Sequence, residues 1–121
     1  MSDVERDARN DVERNADVQN AYRHANEGVV RMSESFGLGG VGEEPIRVFC
    51  ECGRPGCSEA IELSRTEYEQ VRGDGRHFVL VPGHEAESAE HVVGRTERYV
   101  IVENDGRAAA LARDDDPRRV A

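Results

Sequence analysis

The sequence predicts a small α+β fold, in which a small antiparallel sheet is accompanied by two short helices and an N-terminal amphipathic helix. Three observations predict this fold. Apolar residues near the N-terminus recur at steps of three and four, which is the period of one helix face. Short apolar or alternating runs follow, and Gly, Pro, Asn and Asp separate them, as is typical of strands and turns. A Ser-x-x-Glu capping box marks the start of another helix.

The N-terminal part of the chain predicts an arm, a helix and a linker. Residues 1–16 are highly charged and predict a flexible arm or a frayed helix. Residues 17–36 predict the amphipathic helix, and residues 37–45 are glycine-rich and predict a flexible linker. The apolar stripe of the helix is expected to pack on the protein's own sheet, with a coiled-coil seam between two copies in a homodimer as the alternative. This stripe consists of Val18, Tyr22, Ala25, Val29, Met32 and Phe36.

A compact domain is predicted for residues 46–111, followed by a disordered tail at 112–121. Ser64 and Glu67 form the capping box and predict a helix that ends near residue 72. A second short helix is predicted from Glu87 to Val93. The first two strands are expected to pair as an antiparallel hairpin, and Asn104-Asp105-Gly106 predicts a hairpin turn before an edge strand. The predicted strands are 46–50, 59–63, 77–81, 98–103 and 107–111.

The composition narrows the classes of partner. The formal net charge is −9, which disfavours nonspecific binding to nucleic acid or to anionic membranes. No apolar run is long enough to span a membrane, and the first residues do not form a signal peptide. The sequence therefore predicts a soluble cytoplasmic protein with neither nucleic acid nor membrane as its partner.

All three cysteines lie in one loop at the tip of the predicted hairpin. Cys50, Cys52 and Cys57 are close enough in sequence to surround a single ion. Glycine and proline lie between the second and third thiols, and they let backbone N–H groups turn toward sulfur. Such donors stabilise thiolates, the species that binds metal. An odd number of cysteines disfavours a disulfide, and the lack of a fourth thiolate disfavours an iron–sulfur cluster.

A structural zinc ion takes four ligands in a tetrahedron, so one further ligand is needed. His84 is the predicted fourth ligand, because it follows Pro-Gly at the end of an apolar run where a strand would turn back. His77, at the start of that run, is the alternative. Glu51 lies between two cysteines and could act as an oxygen ligand or beside the ligands, but we expect it to point to solvent. A core this small is only marginally stable without a cross-link such as a metal ion. Its size therefore independently favours a hairpin that binds Zn²⁺ in a zinc knuckle.

The segment from Phe49 to Glu85 resembles a family of small bacterial proteins of high-GC, actinobacterial type, to which no activity is assigned. The resemblance covers about half the chain. It implies that Cys50, Cys52, Cys57 and His84 belong together as a metal-binding pattern, and it implies no particular function. The matching residues are Phe49-Cys50-Glu51-Cys52, Cys57, Ile61-Glu62-Leu63-Ser64, Glu67-Tyr68-Glu69, Val71-Arg72, Phe78, Pro82-Gly83-His84-Glu85 and Tyr99-Val100-Ile101-Val102-Glu103.

The motifs favour a binding protein over an enzyme. Three thiolates and an imidazole fill the coordination shell of zinc, whereas a hydrolytic zinc needs an open position. The Gly-rich linker lacks the Lys-Ser/Thr ending of a phosphate-binding loop. We therefore expect a structural-zinc protein that acts as a protein–protein interaction or regulatory module and docks a partner through its N-terminal helix or acidic surface. The alternatives are a thiol redox switch that releases zinc on oxidation, and a small zinc- or cysteine-dependent enzyme.

Overall fold

The computed structural model describes residues 3–35, 44–86 and 89–119, with side chains from residue 11 onward. The residues in these ranges confirm a small α+β fold and form three helices and two small antiparallel sheets. No helix in the described ranges is both long and apolar enough to cross a membrane. Most of the predicted linker lies outside the described residues. The elements are α1 (Asp3–Ser35), β1 (Pro45–Phe49), β2 (Ala60–Ser64), α2 (Arg65–Val71), β3 (His77–Leu80), β4 (Glu90–Arg95), β5 (Val100–Asn104) and α3 (Gly106–Asp114).

Strands β1 and β2 form the predicted antiparallel hairpin around the cysteine loop. Val48 pairs with Ile61, and both side chains are buried. The alternation of buried and exposed residues continues along both strands, so that one face of the hairpin joins the core. The chain then enters α2 through the predicted capping box, in which Ser64 accepts from the Glu67 N–H and Glu67 accepts from the Ser64 N–H.

The second sheet has the order β3-β5-β4, with β5 in the centre. The helix predicted for 87–93 is wrong, because β4 occupies Glu90–Arg95 and pairs with β5. Residues 87 and 88 lie outside the described residues. The spacing of Ala89, Val92 and Val93 suits a helix face, but Val92 and Val93 are β-branched and favour a strand when a partner strand is available.

The C-terminal part of the chain also differs from the prediction. Asp105 is the N-cap residue of α3, so the hairpin turn and the edge strand predicted after it are wrong. The segment is rich in alanine, a strong helix former, and Ala108 and Ala112 are buried in the helix. The disordered tail predicted for 112–121 is likewise wrong over 112–119. Helix α3 continues to Asp114, and Arg118 forms ion pairs with Glu27 and Glu69.

The N-terminal helix is longer than predicted and buries a different face. It begins at Asp3, within the predicted arm, and it packs mainly against β1 and α3. The apolar stripe is not the buried face, because Ala25 is exposed and the Met32 side chain is 61% exposed. Phe36 lies outside the described residues. The buried face is instead mostly polar, and it contains Gln19, Asn20, Arg23, Asn26 and Glu27.

Most residues of this polar face are buried against complementary groups on the domain. Arg23 donates to the carbonyls of Gly75 and Ala112, at 2.6 Å each, and its guanidinium lies over the ring of Phe78. Asn26 donates to the Phe49 carbonyl at 2.9 Å and accepts from the Phe49 N–H at 2.7 Å. The Asn26 amide thereby pairs with β1 as a neighbouring strand would, and hydropathy alone does not reveal such a contact.

Candidate metal centre

Four side chains converge where the tip of the β1–β2 hairpin meets the turn after β3. Cys50, Cys52, Cys57 and His84 each offer one ligand atom, and all these atoms lie within 4.8 Å of one another. His84 Nδ1 is 3.6 Å from the Cys50 sulfur and 3.8 Å from the Cys57 sulfur. The structure thus brings together the four residues that the sequence singles out, and they are close enough to hold a metal ion.

These separations match the dimensions of a tetrahedral site. Zinc–sulfur and zinc–nitrogen bonds of about 2.3 and 2.05 Å at a tetrahedral angle place the sulfur and nitrogen atoms about 3.6 Å apart. The His84–Cys50 separation of 3.6 Å equals this value, and the His84–Cys57 separation of 3.8 Å is close to it. An ion bound by His84 Nδ1 and these two sulfurs would therefore require little movement of the three side chains.

The cysteine loop is shaped by backbone contacts on both sides. The Cys50 N–H donates to the Glu59 carbonyl at 3.0 Å, which closes the hairpin below the loop. Gly56 has φ 78°, a conformation that side chains disfavour. A Cβ atom on Gly53 would lie only 1.8 Å from Asn15 Nδ2 of α1, so a larger residue here would have to displace the Asn15 side chain. The glycines between the thiols therefore serve the turn and the close packing against α1.

The histidine turn is held in the matching position. Gly83 has φ 94°, and the His84 N–H donates to the Val81 carbonyl at 3.1 Å. Arg54, from the cysteine loop, donates to the Gly83 carbonyl at 3.1 Å and links the two halves of the centre. His84 Nε2 lies 3.1 Å from a carboxylate oxygen of Glu59. With its proton on Nε2 facing this carboxylate, the imidazole presents a free Nδ1 lone pair to the sulfurs.

Burial at the centre disfavours charged thiolates that lack a cation beside them. Burial raises the pKa of Cys50 above its ordinary value, although the N–H of Val81 donates to its sulfur at 3.2 Å and acts in the opposite direction. Burial also raises the pKa of Cys52, again against a hydrogen bond from the backbone of Arg54. Thiolates at these positions need a positive charge to replace the lost hydration, and a metal ion supplies one.

Glu51 does not point to solvent, and that expectation is wrong. Its side chain is fully buried, and it does not belong to the group of four candidate ligands. One carboxylate oxygen accepts from Asn26 at 2.9 Å and from the Tyr68 hydroxyl at 2.8 Å, and the other accepts from the Val79 N–H at 3.1 Å. Burial raises its pKa, while these three donors act in the opposite direction. Glu51 therefore anchors the loop to α1, α2 and β3.

The other histidines lie outside this centre. His77 lies with Asp74 and Glu103, and His91 forms another group with Glu103 and Asp105. His24 lies beside Asp115, with 3.6 Å between Nε2 and a carboxylate oxygen. His77, the alternative fourth ligand, is thus placed in a different cluster.

Three further residues around the centre were not predicted from the sequence. Glu59 faces the candidate ligand His84, Asn26 supports the loop from α1, and the Tyr22 hydroxyl donates to the Cys57 carbonyl at 2.6 Å. Glu59 lies two residues after Cys57, and this proximity was the available sequence signal. The contacts from α1 join residues more than twenty positions apart, and no local pattern in the sequence indicates them.

Comparisons with protein-family models, curated proteins and solved structures found no match to this chain. The resemblance to small bacterial proteins therefore stays a prediction. The geometry of the four side chains is the main evidence on which a functional assignment can be based.

Proposed function

We propose that this chain is a structural-zinc protein that acts as a protein–protein interaction or regulatory module. The single observation behind the metal assignment is the convergence of three sulfurs and one imidazole nitrogen within 4.8 Å. Thiolate and imidazole ligands favour Zn²⁺, whereas Mg²⁺ and Ca²⁺ prefer oxygen. Cys50, Cys52, Cys57 and His84 would hold the ion.

A structural role follows from the number and origin of the ligands. Four protein donors complete a tetrahedron and leave no position for a reactive water molecule. The loop belongs to the β1–β2 hairpin, and His84 follows β3 of the other sheet. The ion would thus join the two sheets, and its binding energy would add to the stability of the fold.

Metal content of the tag-free protein tests this assignment. We expect one zinc per chain by elemental analysis, retained through dialysis, and loss of that zinc in Cys57→Ser and His84→Asn variants. His24→Asn is the control, because His24 lies outside the centre. A wild-type chain that contains no metal and takes up none when zinc is supplied would contradict the proposal.

An exposed aromatic residue beside the centre supports the interaction role. Phe49 immediately precedes Cys50, its side chain is 41% exposed, and its ring centroid lies 6.2 Å from that of Tyr22. Large aromatic side chains are enriched where proteins contact partners. Because a zinc ion on Cys50 would hold this part of β1 in place, metal binding and partner binding would be coupled.

Substitution of the exposed aromatic tests the interaction role. Phe49→Ser should abolish capture of a partner protein from the native host, while Val93→Ser should leave capture unchanged, because Val93 is an exposed apolar residue on the other sheet. Both variants should keep their zinc. Identical sets of captured proteins for the two variants would show that Phe49 takes no part in partner binding.

A thiol redox switch is the second candidate, favoured by the accessibility of one thiol. Cys57 is partly exposed, whereas Cys50 and Cys52 are fully buried. In this reaction a peroxide takes two electrons from two zinc-bound thiolates and accepts two protons. A disulfide forms, Zn²⁺ leaves, and each hydrogen peroxide yields two waters. Zinc release measured against peroxide concentration tests it, and a site that keeps its zinc at millimolar peroxide is structural only.

A further inference from the structure

A row of three titratable side chains crosses the second sheet, away from the cysteine loop. In the strand register, Glu103 of β5 lies opposite His77 of β3 on one side and opposite His91 of β4 on the other. Residues directly opposite one another project from the same face of a sheet. Glu103 Oε1 is 3.0 Å from His77 Nε2, and Oε2 is 3.6 Å from His91 Nε2. The carboxylate on the central strand thus faces one imidazole on each side.

The two sides of this row differ in whether a cation is already present. On the His77 side, the Arg76 guanidinium lies 2.7 Å from Asp74 and 3.2 Å from Glu103 Oε1. A fixed positive charge therefore already neutralises that side. On the other side, Glu103 Oε2 and the Asp105 carboxylate both face His91, and Asp105 Oδ1 is 2.9 Å from His91 Nδ1.

The side chain of Asp105 is not used in the way that is usual for its position. An aspartate at a helix N-cap ordinarily accepts a hydrogen bond from the first turn of its helix. Asp105 is the N-cap residue of α3, yet its side chain makes no capping bond and faces His91 instead. Its backbone is held firmly, because its N–H donates to the Ala89 carbonyl at 2.9 Å beside the start of β4.

We propose that His91, Glu103 and Asp105 bind a second divalent metal ion of the class that imidazole and carboxylate ligands share, such as Zn²⁺ or Ni²⁺. One ligand atom from each residue lies within 4.8 Å of the others. Asp105 and the Oε2 side of Glu103 offer negative charge to a cation, and the half-exposed His91 and Asp105 leave room for water ligands. The site is separate from the cysteine centre and does not depend on the function proposed for it.

Titration of the tag-free, as-purified protein with Ni²⁺ tests this site. Calorimetry should give one additional ion per chain. Ni²⁺ is paramagnetic, so amide NMR signals near residues 90–92 and 103–105 should broaden first. His91→Gln should weaken Ni²⁺ binding about tenfold or more. His24→Gln is the matched control, because His24 is similarly exposed and faces the single carboxylate of Asp115.

Three results would overturn the second site. They are the absence of Ni²⁺ binding, equal affinity in wild type and His91→Gln, and broadening centred on the cysteine loop or on His24. The His91 side chain is 51% exposed, so the substitution should leave the fold intact. Unchanged circular dichroism and unchanged metal content of the as-purified variant verify this.

Discussion

Glu51 shows how one residue can connect a binding loop to the rest of a protein. It lies between two candidate ligands, yet its side chain is directed into the core, where donors from three elements surround it. A carboxylate without such donors would be costly to bury. Cys50 and Cys52 can therefore face the same ion while the residue between them faces the opposite way, as alternating side chains of an extended segment do.

We expect Glu51→Gln to lower the free energy of unfolding by about 1–3 kcal/mol, because an amide NH₂ would face a hydrogen-bond donor in either orientation. Urea unfolding of the metal-bound protein measures the change. Glu62→Gln, on the exposed side of β2, is the control and should stay within about 0.5 kcal/mol of wild type. Equal stability of the two variants would show that the buried carboxylate does not anchor the loop.

Glu59 is the residue that orients the candidate histidine ligand. It lies 3.1 Å from His84 Nε2, on the side of the ring away from the sulfurs. We expect Glu59→Gln to retain zinc about tenfold less tightly, because a carboxylate partner increases the basicity of the imidazole and fixes its tautomer. Competition with a chromogenic chelator measures this affinity, again with Glu62→Gln as the control. An unaltered zinc affinity in Glu59→Gln would show that Glu59 makes only a surface contact and does not support zinc binding.

At the scale of elements, α1 packs on the domain chiefly through polar contacts. Gln19 donates to Glu90 at 2.8 Å and accepts from Asn104 at 2.9 Å, and both partners belong to the second sheet. Asn26 pairs with β1 of the first sheet. The helix thus bridges the two sheets by hydrogen bonds, and its more apolar stripe remains partly in solvent.

We expect Asn26→Ala to destabilise the protein by about 2–4 kcal/mol, because the Phe49 N–H and carbonyl and one Glu51 oxygen would each lose a partner. Thermal or urea unfolding measures the effect. Asp17→Ala, on the exposed side of the same helix, should change stability by no more than about 0.5 kcal/mol. A small effect for Asn26 would mean that water replaces its hydrogen bonds.

Elements of this fold differ in how clearly the local sequence marks them. The β1–β2 hairpin, α2, β3 and β5 were predicted, because an alternating pattern, a capping box or a buried apolar run marks each of them locally. Strand β4 and helix α3 were not predicted. The Val92-Val93 pair fits the period of a helix as well as that of a strand. Asn104-Asp105-Gly106 suits a hairpin turn as well as a helix start. Their conformation depends on pairing with β5 and on packing of alanines against α1.

At the scale of the whole molecule, two groups of side chains among the described residues bring distant parts of the fold together. One is the candidate metal centre, which lies between the two sheets. The other is a set of ion pairs at the C-terminal end. Arg72 pairs with Glu27 and Asp116, and Arg118 pairs with Glu27 and Glu69. These contacts join α1, α2 and the segment after α3, which the sequence alone predicts to be disordered.

Metal removal should destabilise the entire protein. We expect chelation at neutral pH, or the Cys57→Ser substitution, to lower the thermal midpoint markedly and to increase amide exchange in both sheets, because the ion would link them. Differential scanning calorimetry and hydrogen exchange measure these effects. Restoring zinc should reverse the effects of chelation but not those of the Cys57→Ser substitution. A chelated wild type with an unchanged midpoint would refute a stabilising role for the metal.

The C-terminal ion pairs predict an acid-dependent loss of stability. Hydrogen bonds from Arg118 lower the pKa of Glu69 below its ordinary value. A carboxylate with a lowered folded pKa stabilises the fold above its unfolded pKa of about 4.3, and this stabilisation is lost as the pH falls further. Arg118→Met should therefore lower the free energy of unfolding by about 1 kcal/mol at pH 7. The difference in stability from wild type should shrink below about pH 4.

Urea unfolding at a series of pH values measures this difference. Arg119→Met is the control, because Arg119 is exposed and lies 3.8 Å from Asp114. A difference between Arg118→Met and wild type that is independent of pH would indicate lost packing of the arginine side chain instead of a lost ion pair.

The sequence by itself determined the α+β class, the hairpin, the capped helix and the grouping of three cysteines with His84, because each depends on residue types at short spacing. Tertiary structure decided which face of α1 is buried, where Glu51 points, that β4 is a strand, and that the chain after α3 packs on the domain. These features depend on partners far away in the sequence. A polar side chain is buried only where a distant donor or acceptor meets it, and local hydropathy carries no record of that partner.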